Sequence, residues 1–523
     1  MAQGHMIPMV DMARLLASRG ATVSFVTTPV NAARIKPVID GASDAGLPIR
    51  FVEFKLPCEE TGVPEGCESF DLLPSVNFYK PLFEAISMLW GPLKLYLKQA
   101  KPRASCMIAD YCNWWTSEVA RELKLARLVF HGPSCFFLLS SRNIHRSKVY
   151  ESVADEHESV VVPGLPQRIE ITRAQAPGWF FEWKEMQERV MEAEEAAAGV
   201  LINTFQELES EHIALYIEST KKMVLPIGPL SLYNKDAKSK ATRGDKASVE
   251  EHQILRWLDS MEPRSVLFVS FGSIVKMRPL QLIEVGCALE ASGRPFVWVV
   301  KEAEKCAEVE KWMSEGFEER TRARSLVITG WAPQVVILSH RAVGGFVTHC
   351  GWNSTLEAIS SGVPMITWPH FVDQFLNERL VVEVLRIGVG VGIRVPVFLP
   401  EEDRVEVGRG AIESAIASLM DGGEEGDGRR TRARELGEKA YKAMAEGGSS
   451  YENMTLLIQF PMEQAHNDIA EKGGADAYCH HHDGLDFYLH SHLYFCIFFL
   501  RNCILGTRES TYIVIAIFRI NKG

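Results

Sequence analysis

Residues 331–374 read WAPQVVILSHRAVGGFVTHCGWNSTLEAISSGVPMITWPHFVDQ, and this run decides how the chain folds. Gly344 to Thr348 has the short apolar character of a buried strand, and it ends in His349. Gly351 permits a tight turn, after which a helix is expected to begin near Asn353. The first-turn amides of such a helix lack intrahelical partners and sit at the positive end of its dipole. A diphosphate is a natural ligand there, with Gly351 allowing close approach and His349 adding a donor. Each residue also has a plain structural reading. Ser354 and Glu357 fit a capping box, Asp373 can cap the next helix, and Trp331 and Trp352 can be packing residues. The ordered spacing of the whole run favours a ligand site over a set of unrelated structural duties.

Outward from this run the same alternation recurs. Val266–Phe271, Phe296–Val300, Leu326–Thr329, Phe346–Thr348 and Met365–Thr367 read as strands separated by helices. Toward the N-terminus, Val23–Thr27, Phe51–Phe54, Cys106–Ala109, Leu128–Phe130 and Val200–Ile202 do likewise. Helices are expected over Met6–Ser18, closed by Gly20, and over Trp114–Leu123. Apolar strands alternating with helices imply parallel sheets covered on both faces. The fold class is therefore α/β, with two Rossmann-like doubly wound domains facing each other across a cleft. Tyr233 to Ser248 is polar and without apolar periodicity, and it marks an interdomain linker. The expected boundaries are residues 1–232, a linker over 233–250, a second domain over 251–445, and a helix over 446–465 that returns to the first domain. Asp421 to Arg430 reads as a charged, glycine-rich loop.

Hydrophobic residues make up 46% of the chain and charged residues 24%, the balance of a globular protein rather than a disordered one. A net charge of −11 argues against nucleic acid or an anionic membrane as partner, since both need a basic face. The 11 cysteines are scattered without a metal-like spacing, as expected of reduced thiols in a cytoplasmic protein. The N-terminal Met1-Ala2-Gln3-Gly4-His5 carries no secretory signal.

The last stretch, residues 466–523, breaks the pattern. Cys479-His480-His481-His482 is followed by an interrupted apolar run from Leu493 to Leu505 and by the β-branched Tyr512–Ile520, which has no partner in the alternation. The histidines have no second ligand cluster to complete a metal site, and the apolar run is too short and interrupted to cross a membrane. The tail reads as a translated non-coding extension with no assigned function.

Taken whole, residues 331–374 resemble the signature box of the plant secondary-product UDP-glycosyltransferases, members of family 1 with the GT-B fold. The match is ungapped, and the likeness extends to Val269-Ser270-Phe271-Gly272-Ser273, Gly316-Phe317-Glu318-Glu319-Arg320 and Gly447-Gly448-Ser449-Ser450. It covers residues 1 to about 465. The resemblance implies that Trp331 stacks on uracil, Gln334 lies near the nucleoside and Glu357 accepts from the ribose hydroxyls. It further implies that Ser273, His349, Asn353 and Ser354 hold the diphosphate, and that Trp352, Asp373 and Gln374 contact the sugar. Gln374 resembles the glucose-using members. UDP-glucose is then a co-substrate, with no cofactor and no metal, and the protein a monomer acting in secondary metabolism.

Transfer to an alcohol needs a base, and a neutral histidine whose other nitrogen is held by a carboxylate suits that task. His5, in a Gly-His loop before the first helix, and Asp110, at the end of the strand Cys106–Ala109, fall on the positions that resemble the family's base and its partner. The implied reaction is a single inverting displacement on a small lipophilic acceptor such as a flavonoid, phenolic, triterpenoid or steroid. Aromatic residues around Phe78 to Trp90, Trp114 and Phe136-Phe137 are candidates to line the acceptor pocket in the first domain. Family members carry a strand before the Gly-His loop, and its absence from the pattern leads to an expectation of a weakened first sheet and poor activity. The rival readings are another enzyme of the same architecture, an epimerase or phosphorylase, and an inactive UDP-sugar-binding homologue.

Overall fold

The structure is a computed structural model that describes residues 3–177, 184–397, 405–421, 423–460 and 512–516. In chain order the strands are β1 (Thr22–Thr27), β2 (Ile49–Glu53), β3 (Cys106–Asp110), β4 (Ala126–His131), β5 (Ser159–Val161), β6 (Glu170–Thr172), β7 (Gly199–Ile202) and β8 (Met223–Pro226). The second half adds β9 (Val266–Ser270), β10 (Phe296–Val300), β11 (Ser325–Thr329), β12 (Val343–Thr348), β13 (Met365–Thr367) and β14 (Gly388–Gly390). The final strand, β15 (Tyr512–Ala516), lies near the C-terminus.

Two parallel sheets result. One has the order β2-β1-β15-β3-β4-β7-β8 and the other β11-β10-β9-β12-β13-β14, while β5 and β6 form a separate antiparallel pair. Strands β3, β4 after its first residue, β7 and β12 are buried along their length, which is why they read as continuous apolar runs rather than alternating ones. The sheets share the doubly wound class expected from sequence. Helix 449–460 packs back on the first domain, where Ser450 Oγ donates to the carbonyl of Gly228 and Asn453 donates to that of Pro226 at 2.8 Å.

Four readings need correction. Tyr512–Ala516 does have a partner: it pairs in parallel with β1 on one side and β3 on the other, so the first sheet is continuous. Helix Gln3–Ser18 starts earlier than its apolar spacing suggests, so Gly4 and His5 lie in its first turn rather than in a preceding loop. Glu424–Met444 is one helix, which absorbs most of the supposed loop over 421–430. The linker contains a short helix, Ala237–Ala241, capped by the Asp236 side chain accepting from the Ser239 amide. The Cys479–His482 run and Leu493–Leu505 lie outside the described residues.

Candidate active site

A cavity of about 650 Å3 opens between the domains, where the C-terminal ends of both sheets meet. His5, Ser273, Trp331, Gln334, His349, Trp352, Asn353, Ser354, Glu357, Asp373 and Gln374 all line it. Asp110 stands behind His5, fully buried at the end of β3.

On the first-domain side, His5 Nδ1 lies 2.7 Å from Asp110 Oδ2. The other carboxylate oxygen accepts from the backbone amide of Cys112 at 3.0 Å, which fixes the plane of the group. Cys112 also brings a third metal-capable atom within 4.8 Å of the other two, though both Asp110 oxygens are already engaged. The imidazole stacks on Tyr111 at 5.6 Å, and Tyr111 in turn stacks on His131 at 5.0 Å. Burial opposes a charge on His5, but the charge and hydrogen bond of Asp110 outweigh it and raise the pKa above 6.5.

On the other side, helix Trp352–Ser360 begins at Gly351, directly after β12 and His349. The predicted capping box does not form. Ser354 and Glu357 lie inside the helix, Ser354 Oγ accepting from Gln334 at 3.1 Å and Glu357 Oε2 accepting from the same amide at 2.8 Å. Gly351 supplies no side-chain cap; the Trp352 amide donates to the Asp373 carboxylate, and Gly351 to Ser354 line the cavity. The His349 ring is wedged between two glycines: a Cβ on Gly272 or on Gly351 would collide with it. Gly272 has φ +68°, so its turn also demands glycine. Burial, with Lys301 nearby, pushes His349 down to about 3, and the ring is neutral.

Asp373 precedes helix Gln374–Arg379 and accepts from Asn377 at 2.8 Å, while burial lifts its carboxyl to about 6. Gln374 Oε1 accepts from the amides of His370 and Phe371, at 2.8 and 3.2 Å, leaving its NH2 as the donor end. Trp352 is 97% buried and its indole donates to the Asn203 carbonyl at 2.8 Å, tying this helix to the first domain. Asn353 makes a second tie, donating to the carbonyl of Gly4 beside His5.

Several site residues escaped the sequence reading. Arg243 of the linker is buried between Asp11, 2.6 Å from its Nε, and Glu357. The adjoining Gly244 packs on the Trp331 ring so closely that a Cβ would overlap it. Nothing in a run of linker charges distinguishes Arg243 from its solvated neighbours. Lys301 also lines the cavity, and its place immediately after β10 was the available signal. Of the aromatic residues proposed for the acceptor side, Phe83 and Phe137 line the cavity. Phe136 is core, Trp90 is 52% exposed, and Trp114 lies under the Arg189 guanidinium, so these serve packing and surface roles. Tyr111, Met186, Val190 and Met191 line the pocket in their stead.

Comparison with known proteins accounts for this geometry. Residues 1–232 match the family described as Glycosyltransferase, N-terminal domain, and residues 237–395 match UDP-glucoronosyl and UDP-glucosyl transferase. UDP-glycosyltransferase 73C2 of Arabidopsis thaliana is 46% identical over 471 residues, covering 89% of this chain and 95% of its own. UDP-glycosyltransferase 73E1 of Stevia rebaudiana is 48% identical over 472 residues, covering 88% and 94%. Among solved structures, UGT73P12 of Glycyrrhiza uralensis, complexed with glycyrrhetinic acid 3-O-monoglucuronide, superposes with a TM-score of 0.82 at 34% identity, covering 91% and 98%. A GT-B architecture, a cleft that joins a histidine–aspartate pair to a helix N-terminus, and these relatives together establish that the chain belongs to the plant family 1 UDP-glycosyltransferases and is a glycosyltransferase enzyme.

Proposed function

We propose that the enzyme transfers glucose from UDP-glucose to a hydroxyl of a small lipophilic acceptor by a single inverting displacement. The observation that carries this reading is the His5–Asp110 pair, facing the start of helix Trp352–Ser360 across the same cavity. Asp110 holds the proton on Nδ1, so Nε2 is free to take the acceptor's proton. The acceptor oxygen forms its bond to the anomeric carbon as the bond from that carbon to the diphosphate oxygen breaks. The electron pair leaves with UDP, and the proton ends on His5.

The donor assignment follows the chemistry of the wall. Trp331 offers a flat ring to uracil, and Gln334 and Glu357 offer an amide and a carboxylate to the nucleoside. Ser273, His349, Asn353 and Ser354, at the positive end of the helix dipole, meet the diphosphate. His349, being neutral, meets it as a hydrogen-bond donor rather than as a cation. Trp352, Asp373 and the NH2 of Gln374 meet the sugar hydroxyls. The apolar side chains of Ile7, Phe83, Phe137, Met186, Val190 and Met191 favour an acceptor with a broad lipophilic body. On this reading the enzyme is a cytoplasmic monomer of secondary metabolism that works without a metal. Among the described residues no helix is long and apolar enough to cross a membrane.

Incubation with UDP-glucose and a pool of flavonols, phenolics and triterpenoids, followed by mass spectrometry, tests the proposal. A hexose adduct that disappears in His5→Ala, while UDP still binds, is the expected result. Binding of UDP without any adduct in the parent protein favours instead an inactive UDP-sugar-binding homologue.

A further inference from the structure

We infer that the acceptor end of the cavity carries a second hydroxyl-binding niche, formed by His131, Arg142, Glu194 and Tyr216, and that it selects acceptors with a hydroxyl remote from the one that reacts. This rests on the acceptor reading given above. The four residues come from four elements: the last residue of β4, helix Cys135–Ser147, helix Lys184–Glu195 and helix Gln206–Thr220. All four line the cavity, and each is more than nine-tenths buried. Glu194 is the centre. Its Oε1 accepts from the Tyr216 hydroxyl at 2.8 Å, with Arg142 Nη1 at 3.8 Å, and its Oε2 lies 2.7 Å from His131 Nε2. The contact with His131 is close but out of line for a hydrogen bond, and Nδ1 meets no partner among the described residues. A buried histidine with both ring nitrogens unsatisfied calls for an explanation. So does an ion cluster on a cavity wall, since apolar side chains of like volume are often at least as stable in such a place.

The chemistry of the niche defines its ligand. Burial opposes the charge on Glu194, but His131, Tyr216 and Arg142 outweigh it and hold the carboxyl below its usual range, so it only accepts. Arg142 only donates, and its Nη groups stand 3.8 Å from Glu194 and 3.5 Å from Glu195, too far to use up their donors. A hydroxyl does both: it donates to the carboxylate and accepts from the guanidinium. A carboxylate on the acceptor would be repelled by Glu194 and Glu195, and an apolar group would leave the cluster dry and unpaired. The niche lies one ring beyond the base. Tyr111 lines the cavity between them, 5.6 Å from His5 and 5.0 Å from His131. A rigid acceptor lying along Tyr111 can therefore present one hydroxyl to His5 and a second to Glu194.

Binding to the UDP-saturated full chain, measured by calorimetry, tests the niche without any transfer taking place. Estradiol, with a hydroxyl at each end of a rigid ring system, should bind about 10–100-fold tighter than its 17-deoxy analogue. Glu194→Gln should bring the two affinities to within about 3-fold of each other. His131→Phe, which keeps a ring against Tyr111, should do the same, and it carries the test if Glu194→Gln fails to fold. A purely structural cluster would instead weaken both steroids alike and leave their ratio in place. Equal affinity for the two steroids in the parent protein, no binding of either, or a ratio that survives substitution overturns the niche. Adding UDP-glucose in parallel separates it from the transfer reading. A hydroxyl preference without any glucoside supports the niche and counts against transfer, whereas a glucoside formed without that preference overturns the niche alone.

Discussion

At the scale of single residues, the His5–Asp110 contact links chemistry to stability with opposite signs. Burial alone favours a neutral His5, and Asp110 reverses this to lift the pKa above 6.5. A base must be neutral to accept a proton, so turnover should fall on the acid side through that raised value. The stabilisation from the pair runs the other way: it is complete below 6.5 and is lost as pH rises through the folded pKa. Asp110→Asn keeps the shape and removes the charge. It should shift the acid limb of kcat to lower pH and cut kcat by about 10^2–10^4-fold, and a pH–rate profile with an unmoved limb contradicts the assigned pairing. Gly272 makes a second prediction. Gly272→Ala places a Cβ in the His349 ring at a positive φ, so it should weaken UDP binding measured by calorimetry and cost about 1–3 kcal/mol of stability. The residue types of the site were legible because their chemistry is ordered along one run. The wedging of His349 by Gly272 was not, because those residues are distant in sequence and meet only through β9 and β12.

At the scale of elements, the linker is part of the binding wall. Arg243 neutralises two buried carboxylates, Asp11 on the first helix and Glu357 on helix Trp352–Ser360. Arg243→Ala strips the counter-ion from both and should destabilise the protein by about 3–5 kcal/mol, seen as a lower denaturation midpoint. If Glu357 receives the ribose hydroxyls as proposed, saturating UDP should recover part of that loss; an equal deficit with and without UDP would contradict the ribose assignment. The linker looked like loop because polarity alone was visible, and polarity does not tell a buried ion pair from a solvated one. Strands were readable where both faces are buried. Met223–Pro226 was missed because a four-residue run ending in proline carries too little pattern, and Tyr512–Ala516 because no local signal announces a partner found among residues 22–26 and 106–109.

Across the whole molecule, four buried groups with large shifts pull the response to acid in opposite directions. Burial, with its charged neighbours, pushes His349 and His370 each down to about 3, so protons taken up by the unfolded chain below 6.5 favour unfolding until about pH 3. Burial lifts Asp373 to about 6 and Glu378 to about 7, so between those values and their unfolded ones the native state holds protons that the unfolded chain lacks. The two pairs oppose each other near pH 5 and leave stability nearly level there. Below about pH 4 the contribution of these two carboxylates is spent, and the histidine loss of about 1.4 kcal/mol per proton per pH unit is no longer offset by them. Glu378→Gln should therefore start the acid decline nearer pH 6, measured as Tm against pH; an unchanged curve counts against the compensation. The placement of Tyr512–Ala516 has a further consequence for how the molecule comes into being. A ribosome delivers β1 and β3 about 400 residues before the segment that lies between them, on the order of 20–80 s at ordinary synthesis rates. Throughout that interval the edges of β1 and β3 that residues 512–516 will cover are without that partner, so the newborn chain relies on shielding from its neighbours, by chaperones or by dilution, until the segment is made.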